Sequence, residues 1–296
     1  MSLTDLAIKR IRKDLKELHT TPLDNCGIYV HSKDEDISTA TALIIGPEDT
    51  PYAHGFYLFE FKFPNNYPFE PPVARFCTID PKGQTRFHPN LYIIDNGKVC
   101  LSILNTWTGP PWTSVQTFSS ILLSIRSILD ENPLQNEPGY ELANANKYNE
   151  YDDILHNYNC CIRYENIRVA IIHIMEHLPG NFSHFKPVIQ DYYFKNYEKI
   201  QNMCIEFDNK YSGKFYSDTF SMAINTDYKS LSKKLETLYI PLAMDKEKAT
   251  DKDKGKEKDK STDKDKEKDT EKDKDTDKGK EKEIPKKKLI KIKKAK

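Results

Sequence analysis

The sequence holds six cysteines, Cys26, Cys77, Cys100, Cys160, Cys161 and Cys204, yet no CxxC pair and no histidine at zinc-ligand spacing beside them. No metal site is therefore expected. No apolar run approaches the roughly 18 residues that a membrane span needs, and no signal peptide is read at its start. A membrane is not expected as a partner, and free thiols fit a reducing cytoplasmic or nuclear compartment. Net charge is missing too, since 45 basic residues face 45 acidic ones. Nucleic acid is accordingly not expected as a partner.

That neutrality is the sum of two opposite parts. From Asp245 onward there are 22 lysines against 16 acids, while the preceding 244 residues carry 23 basic and 29 acidic side chains. The terminal part has almost nothing apolar to bury. Its Asp-Lys and Glu-Lys alternation places like charges at i and i+4, which disfavours helix, so Asp245–Lys296 is expected to be a disordered tail. Its last eleven residues, Lys286–Lys296, contain seven lysines and no acid.

What the body does contain is patterned. Leu3 to His19 reads as an amphipathic helix, with Ile8, Ile11, Leu15 and Leu18 on one face and Lys9, Lys13 and Lys16 on another. Strands are expected at Gly27–His31, Ser38–Ile45, Phe56–Phe63 and Val73–Cys77, joined by hairpin-length turns as an antiparallel meander. Pro64, Pro68, Pro71 and Pro72 brace an exposed loop that carries Phe69. A helix follows with Val115, Phe118, Ile121, Leu122, Ile125, Ile128 and Leu129 on one stripe, capped by Thr113 or Ser114 and stopped by Asn132-Pro133. Glu141 to about Ile240 reads as helix broken at Pro179-Gly180. Cys160 and Cys161 point about 100° apart on such a helix and are read as structural.

Cys100 carries the sharpest chemistry. Twelve residues upstream stands His88-Pro89-Asn90, and Leu101-Ser102-Ile103-Leu104 follows directly. A thiolate there could hold an acyl group as a thioester, and the Asn90 amide could donate to the oxyanion formed on transfer. His88 is read mainly as loop structure and not as a base. Lys98 is near in sequence, so only a modest shift of the thiol's pKa is expected.

The stretch RFHPNLYIIDNGKVCLSIL, together with the Tyr-Pro-Phe-x-Pro-Pro run, resembles the ubiquitin-conjugating enzyme family over about Ser2–Ile162. TWTGPPW, NEPGYE and YNCCIRYENIRVA are similar to its large Z-type and apollon-like members. The resemblance implies an α+β fold: an N-terminal helix, a four-stranded antiparallel sheet and C-terminal helices. It divides the chain into a catalytic core at 1–162, a helical extension at 163–244 and the tail at 245–296. It also implies a transferase that accepts ubiquitin or a ubiquitin-like modifier on Cys100 and passes it to lysines of protein substrates. Cys100, Asn90 and His88 would form the catalytic set. Lys9, Arg10 and Lys13 would meet the activating enzyme, and Phe69 and Ser114 a ligase. No cofactor would be bound, because ATP is consumed upstream by the activating enzyme.

Three departures from the family pattern stand out. The gap from Asn90 to Cys100 is ten residues instead of eight, with Ile93-Ile94-Asp95 enlarging it. About four extra residues lie between Cys100 and Trp112, and Ser114 stands where a proline is usual. The acid that often gates the incoming lysine is also absent, with Gln135 or Asn136 near its place. An inactive scaffold of the same fold is the alternative reading, although such scaffolds lack the acceptor thiol. For the terminal lysines, nuclear import, polyanion contact, modification in cis and a plain basic terminus all stay open.

Overall fold

Thr4 begins the first element: its hydroxyl accepts from Ala7 N at 3.2 Å and caps α1, Asp5–Thr20. Ala7, Ile11 and Leu18 turn inward, and Lys9, Lys13 and Lys16 stay exposed. The computed structural model describes residues 3–33, 35–142 and 150–262, with 247–262 described by backbone alone. The chain forms two units, Met1–Lys246 and Glu247–Lys296, and the sheet and both of its cores belong to the first.

Four strands follow α1, namely β1 (Ile28–Lys33), β2 (Asp36–Ile45), β3 (Phe56–Lys62) and β4 (Val73–Phe76). They pair antiparallel in sequence order, with Ala42 opposite Phe59 and Glu60 opposite Arg75. The pleat sends alternate residues to opposite faces. Ala42, Ile44, Tyr57 and Phe59 share one core with the buried faces of α1 and of the helix after Trp112. Leu43, Ile45, Phe56 and Leu58 enter a second core with Ile167, Ile171, Phe185, Ile189 and Tyr193. Both faces are therefore dry, which accounts for the unbroken apolar runs Ala42–Ile45 and Phe56–Phe59.

The helix after Trp112 begins later than its apolar stripe predicts. α2 is Phe118–Ile128, capped by Thr117 in a capping box with Ser120. Neither Thr113 nor Ser114 caps it, and Val115 is 83% exposed and outside the stripe. Residues 113–117 form a loop instead, because the Arg10 guanidinium claims the carbonyls of Ser114 and Gln116.

Next comes α3, Tyr151–Glu165, which runs on as a π-helical segment, Asn166–His173, and a short α4, Ile174–Glu176. The widened segment brings Asn166 against the sheet. Its Oδ1 accepts from Tyr57 Oη at 2.7 Å and its Nδ2 donates to Ala53 O at 2.8 Å. A Cβ on Gly55 would stand 2.0 Å from that Oδ1, so only glycine admits the contact. After the break at Pro179-Gly180 come α5, Lys186–Lys210, and α6, Tyr228–Thr262.

Between α5 and α6 lies a feature that the helical reading of this region does not contain. It is the hairpin of β5, Lys214–Ser217, and β6, Met222–Asn225. Gly213 (φ 147°) and Ser221 (φ 51°) take conformations that a helix cannot hold, and these end the helical pattern. Cys160 and Cys161 are buried free thiols, in agreement with a structural role. α6 enters the charged segment as far as Thr262. The rest of the expected tail, including Lys286–Lys296, lies outside the described residues, as do 143–149 of the helical reading.

Candidate active site

The residues around Cys100 hold one another through backbone before any side-chain chemistry begins. Cys100 N donates to Asn90 O at 2.9 Å, and Asn90 Nδ2 donates to Cys100 O at 2.6 Å. The thiol-bearing residue and the amide-bearing turn are thus locked face to face. Asp95, Asn96 and Gly97 all adopt left-handed backbone, which closes the ten-residue gap into a tight turn. A Cβ on Gly97 would come within 2.2 Å of Phe76 O, while Phe76 N donates to Gly97 O at 2.7 Å. Glycine is required there, and it fastens the turn to β4. On the other side Leu101 N donates to Thr106 Oγ1 at 2.9 Å, and that hydroxyl donates to Val99 O at 2.7 Å.

His88 is wholly buried. Its Nδ1 accepts from Asn90 N at 3.0 Å, so the ring proton resides on Nε2, on the side of the Ile128 carbonyl. Burial first, and the Arg86 charge second, push its pKa down to about 3. A ring kept neutral and shut away from solvent shapes the turn and supplies no base. That placement accords with the reading of His88 as the structural member of its turn.

Cys100 is 3% exposed, and burial pushes its thiol above the ordinary value. Lys98, Arg86 and the Tyr92 hydroxyl pull it back, and Asp95 pushes it up. Opposing influences leave a direction set by burial. Asp95, in the enlarged gap, is the carboxylate whose charge reaches the sulfur. Among the described residues no cluster of three or more His, Cys, Asp or Glu could hold a metal ion. The described helices include none long and apolar enough to cross a membrane.

The turn, its buried histidine and the thiol beside it match a known pattern of sequence: the family described as Ubiquitin-conjugating enzyme matches residues 10–160. The chain belongs to that family. Ubiquitin-conjugating enzyme E2 Z of Xenopus tropicalis is 37% identical over 78% of this chain, which covers 71% of the relative. E2 Z of Homo sapiens is 45% identical over 56% of this chain, covering 44% of the relative. A further relative is the Dual E2 ubiquitin-conjugating enzyme/E3 ubiquitin-protein ligase BIRC6 of Homo sapiens, 34% identical over 67% of this chain and 4% of its own length. The α+β fold and transferase activity expected of a ubiquitin-conjugating enzyme thus stand, as does a mode of action without a bound cofactor. Membership implies ubiquitin, an activating enzyme and a ligase as partners.

In this conjugating enzyme one of the residues expected to meet those partners, Arg10, is held by a buried carboxylate. Asp14 on α1 accepts from Arg10 Nε at 2.8 Å, from Phe118 N at 3.2 Å and from the Tyr67 hydroxyl. Arg10 also donates to Ser114 O at 2.6 Å and to Gln116 O. Its guanidinium is therefore engaged inside the chain, where it braces the loop that carries Ser114. Lys9 and Lys13 remain exposed, joined by Arg12, which the lysine spacing alone does not single out. Phe69 is 65% exposed, and Ser114 is exposed on the loop that Arg10 holds. Trp112 Nε1 donates to Pro68 O at 2.7 Å, which ties the Phe69 loop to the same end of the molecule.

Proposed function

We propose that Cys100 is the acceptor of activated ubiquitin or a ubiquitin-like modifier. Its thiolate attacks the carbonyl of the thioester on the activating enzyme, a new C–S bond forms, and the activating enzyme's thiolate departs. A lysine amine of a protein substrate then attacks the same carbonyl. The C–N bond forms, the C–S bond to Cys100 breaks, and the amine's proton is passed to the departing sulfur. The observation that carries this reading is the reciprocal pairing of Asn90 and Cys100. One Nδ2 hydrogen serves the Cys100 carbonyl, and the second is free to meet an oxyanion beside the sulfur. Positioning supplies the rest, since exchange between two thioesters is close to isoenergetic.

Residues 1–162 act as the catalytic core in this scheme, 163–244 as an extension and 245–296 as a tail. Lys9, Arg10 and Lys13 meet the activating enzyme, and Phe69 with Ser114 a ligase. Because the chemistry consumes a free thiol, a reducing cytoplasmic or nuclear compartment is the natural setting.

The test incubates the protein with an activating enzyme, ATP and ubiquitin, and separates the products without reductant. A thiol-sensitive adduct one ubiquitin heavier is expected, becoming thiol-resistant in Cys100→Ser. No adduct with any activating enzyme and modifier would favour a binding scaffold and remove the catalytic roles.

A further inference from the structure

Arg86 is a buried charge for which no carboxylate lies within salt-bridge distance among the described residues. It is 9% exposed, and a guanidinium so placed must be solvated by the protein itself. Nε donates to His88 O at 3.0 Å and Nη2 to Pro89 O at 2.6 Å, so the fork grips the carbonyls of the turn that carries Asn90. On one side the guanidinium stacks 3.6 Å from the Tyr92 ring centre, and on another Phe220 lies 5.3 Å away. Its own backbone is held as well: Arg86 N donates to Met222 Sδ at 3.2 Å, and Tyr158 Oη donates to Arg86 O at 3.0 Å.

Phe220 and Met222 belong to the hairpin of the extension, 134 and 136 residues along the chain from Arg86. Met222 is buried, and Phe220 packs 5.6 Å from the Tyr158 ring. Nothing in the chemistry at Cys100 requires this hairpin, yet its tip closes on the one arginine that grips the reacting turn.

We propose that the β5–β6 hairpin, through Phe220 and Met222, locks Arg86 as the positioning residue of the His88-Pro89-Asn90 turn and thereby sets the reactivity of Cys100. The inference rests on the thioester reading of Cys100. Three elements deliver charged or titratable groups to the sulfur: Arg86 before the turn, Tyr92 and Asp95 within the loop, and Lys98 on the final strand-like segment. Arg86 and Lys98 favour the thiolate, so loosening the guanidinium lifts the thiol's pKa and slackens the Asn90 amide together.

Phe220→Ala removes one wall of the clamp without touching the turn. Charging of Cys100 and discharge to free lysine are expected to slow about tenfold, with the loss in kcat and not in the KM for lysine. The pH profile of Cys100 alkylation by iodoacetamide, followed by mass spectrometry of the Cys100 peptide, should move upward by on the order of half a unit. Phe220→Tyr should restore both, and Tyr216→Ala, an exposed change on the same hairpin, should alter neither. A purely structural role would lower the unfolding midpoint but leave the alkylation profile and the kcat against KM split where they were. If Phe220→Ala charges, discharges and alkylates as the parent does, the clamp is overturned while the thioester reading stands. If the parent itself forms no thioester, the thioester reading fails, and the alkylation profile still reports whether the hairpin governs the thiol.

Discussion

Two buried charges organise this conjugating enzyme, and they are handled in opposite ways. Asp14, at the end that carries Phe69 and Ser114, is neutralised on the spot by Arg10 and saturated by Tyr67 and Phe118. Arg86, behind the active turn, receives two carbonyls and two aromatic faces but no salt bridge among the described residues, the Glu137 carboxylate feeling its charge only from farther off. A paired charge spends its field locally and yields rigidity. A charge without a contact counter-ion keeps more of its field, and this one reaches Cys100. The first arrangement suits a surface that docks partners, the second a site that must favour a thiolate.

That contrast is most sharply tested at Asp14. Asp14→Ala leaves the half-buried Arg10 guanidinium without its carboxylate and the Tyr67 hydroxyl and Phe118 amide without their acceptor, and should cost about 3–5 kcal/mol in urea unfolding. Alkylation of Cys100 should keep its pH profile in whatever fraction stays folded. If the profile moved, the two hubs would be coupled and the comparison would fail.

Next in size is the turn that Arg86 grips. Asn90→Ala should slow discharge to lysine by ~10²–10³, the usual effect of losing one oxyanion donor. Charging should suffer less, because thioester exchange demands little oxyanion stabilisation. Equal losses in the two steps would assign Asn90 to the geometry of the turn alone.

His88 gives the smallest effect and a direction that can be worked out. Its folded pKa of about 3 lies below the ordinary histidine value. Above pH ~6.5 both folded and unfolded forms are neutral and the full stability is present. As pH falls from there toward 3, only the unfolded chain gains the proton, so stability is lost across that window. The loss from this group should be about 2 kcal/mol between pH 6.5 and pH 5. His88→Asn keeps an acceptor for Asn90 N and cannot titrate. Denaturation curves across this range should show a flatter acid limb than the parent by that amount, and an unchanged limb would mean that the ring is not sealed from protons.

Much of this architecture is legible in the chain. The spacing of Ile8, Ile11, Leu15 and Leu18 in steps of three and four is a local property, and so are the strand runs and the proline-braced loop. The apolar stripe misplaces the start of α2 because Val115 continues it, while Arg10, 104 residues away from Ser114, takes that loop's carbonyl. The hairpin escapes a reading by periodicity because its four-residue strands carry only weak alternation, although Ser212-Gly213 marks the end of α5 in plain view. Two-sided burial of the sheet has a signal too, in the unbroken runs of β2 and β3.

Sequence alone determined the fold class and the thiol with its turn, written in periodicity and in residues at most twelve positions apart, and the family, written in motifs spread from Tyr67 to Ala170. Tertiary structure alone decided which charges remain available. Arg10 has its fork on Ser114 and Gln116, which no local pattern announces, and Arg86 looks like nothing until a hairpin far along the chain closes over it. Burial and counter-charge are set by contacts between distant segments, and no local pattern of residues encodes which segments will meet.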